Sequence, residues 1–150
     1  MDVNELVQQL QQIYVLLDDG DRRALRHAGL TPTQYTLLRC LDESPERELT
    51  VSRLAEVMLC TRGNATRLVQ RLEEAGLIGT RGDDRDQRLV LVGLTGEGEH
   101  RLGTARARLA EANERRLRGM SRADLRSLAE LAGTLAGLLA KDLDGLADPD

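Results

Sequence analysis

The sequence predicts a mainly α-helical protein with one small β-wing, and three observations predict it. Apolar residues recur at three- and four-residue intervals over most of the 150 residues, which is the spacing of one buried helix face. Two short segments, 50–58 and 61–75, each open on a threonine cap and are separated by a two-residue turn, as in a helix-turn-helix. Behind them, Leu77-Ile78 and residues 89–92 flank the charged turn Gly82-Asp83-Asp84, which reads as a hairpin.

Taken in order, Val3, Leu6, Val7, Leu10, Ile13, Tyr14 and Leu17 form an amphipathic first helix. Asp18-Asp19-Gly20-Asp21 is expected to interrupt it, with residues 22–27 resuming for a turn or two. Thr31-Pro32-Thr33-Gln34 starts a second helix with a cap, a proline at the first position and Gln34 closing a capping box. That helix ends near Leu41, before Ser44-Pro45, and Glu48-Leu49 supplies a short strand beside the hairpin. Thr50 caps the next helix, whose Leu54, Ala55 and Met58 share a face.

Leu59-Cys60 turns the chain, and Thr61 caps a helix running to about Ala75. Its Leu68, Val69 and Leu72 face inward, while Arg62, Asn64, Thr66, Arg67 and Arg71 face out. Gly76 ends the helix, because glycine takes the left-handed conformation cheaply. After the hairpin, Thr95 begins a long, mildly apolar helix through Arg118, with Leu102, Ala105, Leu109 and Ala112 on one stripe. Gly119 breaks it. Ser121-Arg122-Ala123-Asp124 starts the last helix, and Leu125, Leu128, Leu131, Leu135, Leu138, Leu139 and Leu143 give it a wide leucine face. The tail 147–150 is expected to fray.

Length suits one domain, 1–150. No apolar run reaches the ~18 residues of a membrane span, and Met1-Asp2-Val3-Asn4-Glu5 does not begin a secretory signal. Two cysteines cannot form a disulfide framework, so a reduced cytoplasm is the expected location. The net charge of −4 argues against indiscriminate coating of DNA, but the charge is unevenly placed. Residues 47–88 hold eight arginines against seven acids, a local +1, and the rest of the chain carries −5. Glu73, Glu74 and Asp83 lie toward the far end of the second motif helix and the wing base, leaving the start of that helix purely basic.

That start carries the candidate chemistry. Arg62 and Arg67 can read guanine and Asn64 adenine by paired hydrogen bonds in the major groove of double-stranded DNA. Thr61, Thr66 and the helix N-terminus suit phosphate, and Gly63 permits close approach of the backbone. Arg85 at the wing tip suits a narrow minor groove, with Asp83 or Asp86 expected to orient it. Arg88 divides evenly between a phosphate contact and a structural ion pair. The plainer alternative for the whole set is an ordinary solvated helix face.

Cys40 and Cys60 read as small buried hydrophobes, and the isolated His27 and His100 give no metal-ligand spacing. No nucleophile elbow, phosphate loop or HExxH is present. Gly93-Leu94-Thr95-Gly96-Glu97-Gly98 has the composition of a glycine-rich loop but the wrong order, and helix initiation explains it better. The expectation is a binding protein, not an enzyme, with no cofactor and no metal.

The segments LTPTQYTLLRCL (30–41), LAEVMLCTRGNATRLVQRLEEAGLI (54–78) and DDRDQRLVLVGLTGEG (83–98) together resemble the MarR family of winged helix-turn-helix transcriptional regulators. The resemblance covers about the central half of the chain. It implies a DNA-binding region at 31–95 and dimerisation helices at 1–30 and 96–146, the leucine stripes at the two ends interlocking with a second copy. It also implies a repressor that leaves a pseudo-palindromic operator when a small-molecule effector binds. Tyr14, His27 and Tyr35, with Arg23 or Arg26, are candidate effector contacts. With no Phe or Trp in the chain, only the two tyrosines can give such a pocket an aromatic wall. Two competing readings stand beside this one, a thiol-based redox regulator driven by Cys60 or Cys40 and a winged domain that binds protein.

The chain departs from the family pattern in three places. Asp84 stands where the wing usually has proline and sets a negative charge beside Arg85. Cys60 stands at a turn position that is often valine. No cysteine precedes Cys40, so the N-terminal thiol sensor of some relatives is not carried over.

Overall fold

The computed structural model describes residues 1–146 and comprises α1 (Val3–Arg26), α2 (Pro32–Glu43), β1 (Glu48–Thr50), α3 (Val51–Val57), α4 (Arg62–Glu74), β2 (Ile78–Gly82), β3 (Val90–Leu94), α5 (Gly96–Leu117) and α6 (Arg122–Gly145). The expected tail 147–150 lies outside the described residues. The chain divides into two compact units, Met1–Ala112 and the part that follows from Asn113. No helix among the described residues is long and apolar enough to cross a membrane.

In the first unit the caps fall where the sequence places them. Thr31 accepts from the Gln34 N–H while the Gln34 side chain returns to the Thr31 N–H, with Pro32 opening α2. Thr50 and Thr61 cap α3 and α4 in the same way, through the Arg53 and Asn64 amides. The three strands form an antiparallel sheet in the order β1-β3-β2, with Leu49 opposite Val92 and Thr80 opposite Val92 on the other side. One core joins these elements: Leu25 of α1, Leu37, Leu38 and Leu41 of α2, Leu54 of α3, Leu72 of α4, Val92 of β3 and Leu102 of α5 are almost fully buried. Each fully buried leucine contributes on the order of 2 kcal/mol, and the apolar periodicity of the sequence is the pattern that gathers them.

One expectation is corrected. Asp18-Asp19-Gly20-Asp21 does not interrupt α1, which runs unbroken from Val3 to Arg26. Asp18 and Asp19 each pair one turn ahead, with Arg22 at 2.6 Å and Arg23 at 2.9 Å, the i,i+4 geometry that supports a helix. The buried Leu25 anchors the last turn, and a single glycine costs only about 1 kcal/mol in a helix interior.

The second unit consists of the end of α5, a break at Gly119, and α6 capped by Ser121 through the Asp124 amide. None of the residues of α6 is buried; Leu125 and Leu135 are half-buried, and Leu128, Leu131, Leu138, Leu139 and Leu143 are exposed.

Candidate nucleic-acid interface

The first turn of α4 presents its groups outward. Thr61, Arg62, Gly63, Asn64, Thr66 and Arg67 are all exposed, while Ala65, Val69 and Leu72 anchor the opposite face. No acid lies in that first turn, so nothing on the helix itself neutralises the positive end of its dipole or the free amides there. Thr61 has one lone pair engaged by the Asn64 amide at 3.2 Å. The Thr66 hydroxyl donates back to the Arg62 carbonyl at 2.9 Å, which leaves it an acceptor but not a free donor. Around Gly63 a side chain would meet only Arg67 Nη2, at 3.9 Å, so open space lies above this position.

The outward residues divide between two flanks. Arg62 and Thr66, one turn apart, share a cleft of about 310 Å³ with Ser52, Thr80, Arg88 and Val90, between α4 and the wing strands. Asn64 and Arg67 open instead on a cleft of about 620 Å³ whose other walls include Asp18 and Arg22 of α1, Cys60, and Arg71 one turn further along α4. Outward residues three or four apart on α4 therefore share a cleft, and the two pairs face different neighbours.

At the wing, Asp83 orders the backbone and not the Arg85 side chain. Its Oδ1 accepts from the Arg85 amide at 2.7 Å and the Asp86 amide at 3.1 Å, a local turn closed by the Asp83 N–H donating to the Leu89 carbonyl. Asp86 does not orient Arg85 either: both its oxygens are taken by Arg88, at 3.0 and 3.1 Å. This hydrogen bonding holds the Asp86 carboxyl below its ordinary range and raises the Arg88 guanidinium. The Arg88 pair is thus structural, although its side chain remains exposed. Asp84 lies 3.8 Å from Arg81 Nη1, so its charge is answered by Arg81.

Arg81 is a wing residue that the sequence reading passed over. It makes a two-pronged pair with Glu48, at 2.9 and 2.7 Å, tying β2 to β1, and the pairing depresses the Glu48 carboxyl. The partners are 33 positions apart, so no local pattern announces the pair.

These pairings leave a pattern. Among the described residues, the first-unit arginines without an ion pair are Arg26, Arg62, Arg67, Arg71 and Arg85; the others answer carboxylates. Four of the five unpaired arginines lie on α4 or at the wing tip.

Of the effector candidates, only the neighbours Arg26 and His27 share a cleft. Tyr14 is 68% exposed on α1. His27 lines a separate polar cleft of about 430 Å³ with Arg26, His100 and Arg101. Tyr35 packs against the core cluster from α2. Arg23 is engaged by Asp19. Among the described residues no group of three or more His, Cys, Asp or Glu side chains is placed to hold a metal. Cys40 and Cys60 are both half-buried free thiols, and burial pushes the Cys40 thiol up, against the opposing pull of Arg39.

Comparison with known proteins agrees with this geometry. Residues 28–89 match the model of the MarR family. The transcriptional activatory protein BadR of Rhodopseudomonas palustris is 33% identical over 98 residues, 65% of this chain and 56% of that protein. The organic hydroperoxide resistance transcriptional regulator of Bacillus subtilis is 35% identical over 70 residues, 47% of this chain and 46% of that one. The chain thus spans about half the length of these relatives.

A MarR family transcriptional regulator from Streptomyces coelicolor, solved in complex with DNA, is 29% identical with a TM-score of 0.78 over 93% of both chains. Another MarR family structure gives a TM-score of 0.83 over 96% of this chain and 94% of its own, at 22% identity, which speaks for the fold alone. The winged region of this chain thus matches the model of the MarR family, and its backbone follows the fold of family members over nearly its whole length.

Proposed function

We propose that the protein is a dimeric, sequence-specific DNA-binding regulator of transcription, acting as a repressor that a small-molecule effector releases from a pseudo-palindromic operator. The observation that carries this reading is the distribution of unpaired arginines. Arg62, Arg67, Arg71 and Arg85 remain without carboxylate partners on the two elements that suit the two grooves, while most other arginines of the unit are paired. The DNA complex of the Streptomyces coelicolor relative supports it. Repression is the simpler mode, since it needs only occupancy of the operator and no further partner, although one relative is named as an activator.

The effector reading draws on the cleft of about 620 Å³ beside α4. Asn64 and Arg67 belong both to this cleft and to the outward face of α4, so a ligand seated there competes with base contacts. The unpaired Arg67 and Arg71 suit an acidic molecule. The redox reading through Cys40 has less support, because its half-buried, raised thiol disfavours the reactive thiolate.

The test is binding to an operator selected in vitro, titrated with salt, for wild type, Asn64→Ala, Arg85→Ala and Arg88→Ala. Asn64→Ala is expected to cost about 1–3 kcal/mol and relax specificity at one position per half-site. Arg85→Ala should weaken all operators and flatten the salt dependence by about one unit of slope. Arg88→Ala should do less, because Asp86 already holds that side chain. Unchanged affinity in both Asn64→Ala and Arg85→Ala would transfer the winged domain to the protein-binding reading.

A further inference from the structure

The corner formed by Thr95 and Gly98 joins the end of the recognition helix to α5 by backbone contact and one hydroxyl. We propose that these two are positioning residues that fix α4 against α5, and so set the distance at which the two recognition helices of a dimer meet DNA. The inference rests on the dimeric DNA-binding reading above and adds the determinant of operator spacing to it.

The α4 terminus is tightly wound. The Gly76 amide donates to the Glu73 carbonyl and the Leu77 amide to the Leu72 carbonyl, with Gly76 in the left-handed region at φ 75. The carbonyls of Gly76 and Leu77 are both taken by one residue. The Thr95 hydroxyl donates to the Gly76 carbonyl at 2.6 Å, and the Thr95 amide donates to the Leu77 carbonyl at 3.1 Å. The same hydroxyl accepts from the Gly98 amide at 3.1 Å, so it caps α5 while holding α4.

Gly98 completes the contact. It is buried in the first turn of α5, and a Cβ there would stand 1.9 Å from the Leu77 carbonyl oxygen and 3.0 Å from its carbon. The obstructing atoms are backbone and cannot rotate aside. With only the short Thr95 side chain bridging the two elements and backbone against backbone at Gly98, a swing of α5 carries the end of α4 with it. A corner serving only to close the fold would be met equally well by packed side chains, whose compliance would let the helices shift independently.

The distances set the size of the effect. Restoring ordinary contact from 1.9 Å requires a displacement on the order of 1.5 Å. Two subunits doing so change the separation of their helices by about 3 Å, close to the ~3.4 Å rise of one base pair. Gly98→Ala is therefore expected to move the preferred half-site spacing by about one base pair. Thr95→Val, which removes the hydroxyl's donor and acceptor together, should loosen the corner and blunt discrimination between spacings. Thr95→Ser retains both roles. Thr95 is half-exposed, so water can satisfy the Gly76 carbonyl in the valine variant and the fold is kept.

The experiment uses the full chain and an operator selected in vitro by wild type, with the spacer lengthened or shortened by one base pair. Wild type should lose about tenfold in affinity on either change. Thr95→Val should reduce that ratio to about threefold or less, and Thr95→Ser should restore it; thermal melting reports folding throughout. If Thr95→Val keeps the wild-type ratio, the inference is overturned, even if all its affinities fall in parallel. A folded Gly98→Ala that keeps the wild-type spacing overturns it as well. If Gly98→Ala does not fold, the valine and serine pair decides alone. If wild type selects no DNA at all, the DNA-binding reading fails and this inference falls with it.

Discussion

Leu59, at the turn between α3 and α4, sits in the left-handed region at φ 52 with its side chain 80% exposed. A left-handed leucine costs roughly 1–2 kcal/mol of backbone strain, and glycine in its place adds back about 0.5–1 kcal/mol of chain entropy. Leu59→Gly should therefore stabilise the protein by about 0.5 kcal/mol. Arg47 shares the backbone conformation, at φ 57, but pairs with Asp42 at 2.7 Å and Glu99 at 2.9 Å. Arg47→Gly should destabilise, since the same relief comes with the loss of both pairs. Thermal melts of the two variants check the contrast, and a Leu59→Gly protein that melts below wild type refutes it. The caps at Thr31, Thr50 and Thr61 were legible in the sequence because each bond closes within three residues. The left-handed Leu59 was not, because a leucine carries no mark of that conformation.

Among the elements, the tie between α2 and α5 runs through Asp42. Its carboxylate accepts from Arg47 at 2.7 Å and from Arg106 at 2.6 Å, the latter 64 positions away. The hydrogen bond from Arg106, partly opposed by desolvation, holds the Asp42 carboxyl below its ordinary range. A depressed carboxyl contributes stability that is present above the usual carboxylate pKa of about 4 and is lost as pH falls through the lower folded value. Asp42→Asn should cost about 1 kcal/mol at neutral pH, discounted for the partial exposure of both arginines, and almost nothing once the pH is low enough to protonate the folded carboxyl as well. Melting temperature against pH measures this, and an equal deficit at both ends of the range would show that packing, not charge, ties α2 to α5.

Sequence legibility at this scale followed the same divide. The helices and the hairpin were visible from periodicity and turn residues. The continuity of α1 through Gly20 was not, because composition weighed three aspartates and a glycine as breakers, whereas the arginines one turn on convert two of them into support. The pairs Arg81–Glu48 and Arg106–Asp42 had no local signal at all.

For the whole molecule, exposed apolar surface is the dominant feature. Val3, Ile13, Val15, Leu16 and Leu17 of α1 lie exposed, as do Leu131, Leu138, Leu139 and Leu143 of α6, a surface of the kind that marks an interface. A second copy of the chain is the proposed cover. Leu138→Glu with Leu139→Glu should convert a dimer to monomer in sedimentation, with helical content retained; a wild-type chain that sediments as monomer at micromolar concentration would end the idea.

The pairing of most first-unit arginines with carboxylates also bears on how the proposed regulator would find its target. Attraction to arbitrary duplex scales with the phosphates a protein neutralises, and among the described residues only four arginines without an ion pair lie on α4 or at the wing tip of this chain of net charge −4. On the proposed function, visits to unrelated sequence are expected to be brief, with the search proceeding mainly by repeated encounters from solution. Occupancy of the proposed operator is then expected to depend on the number of copies of the protein in the cell more than on the length of flanking DNA.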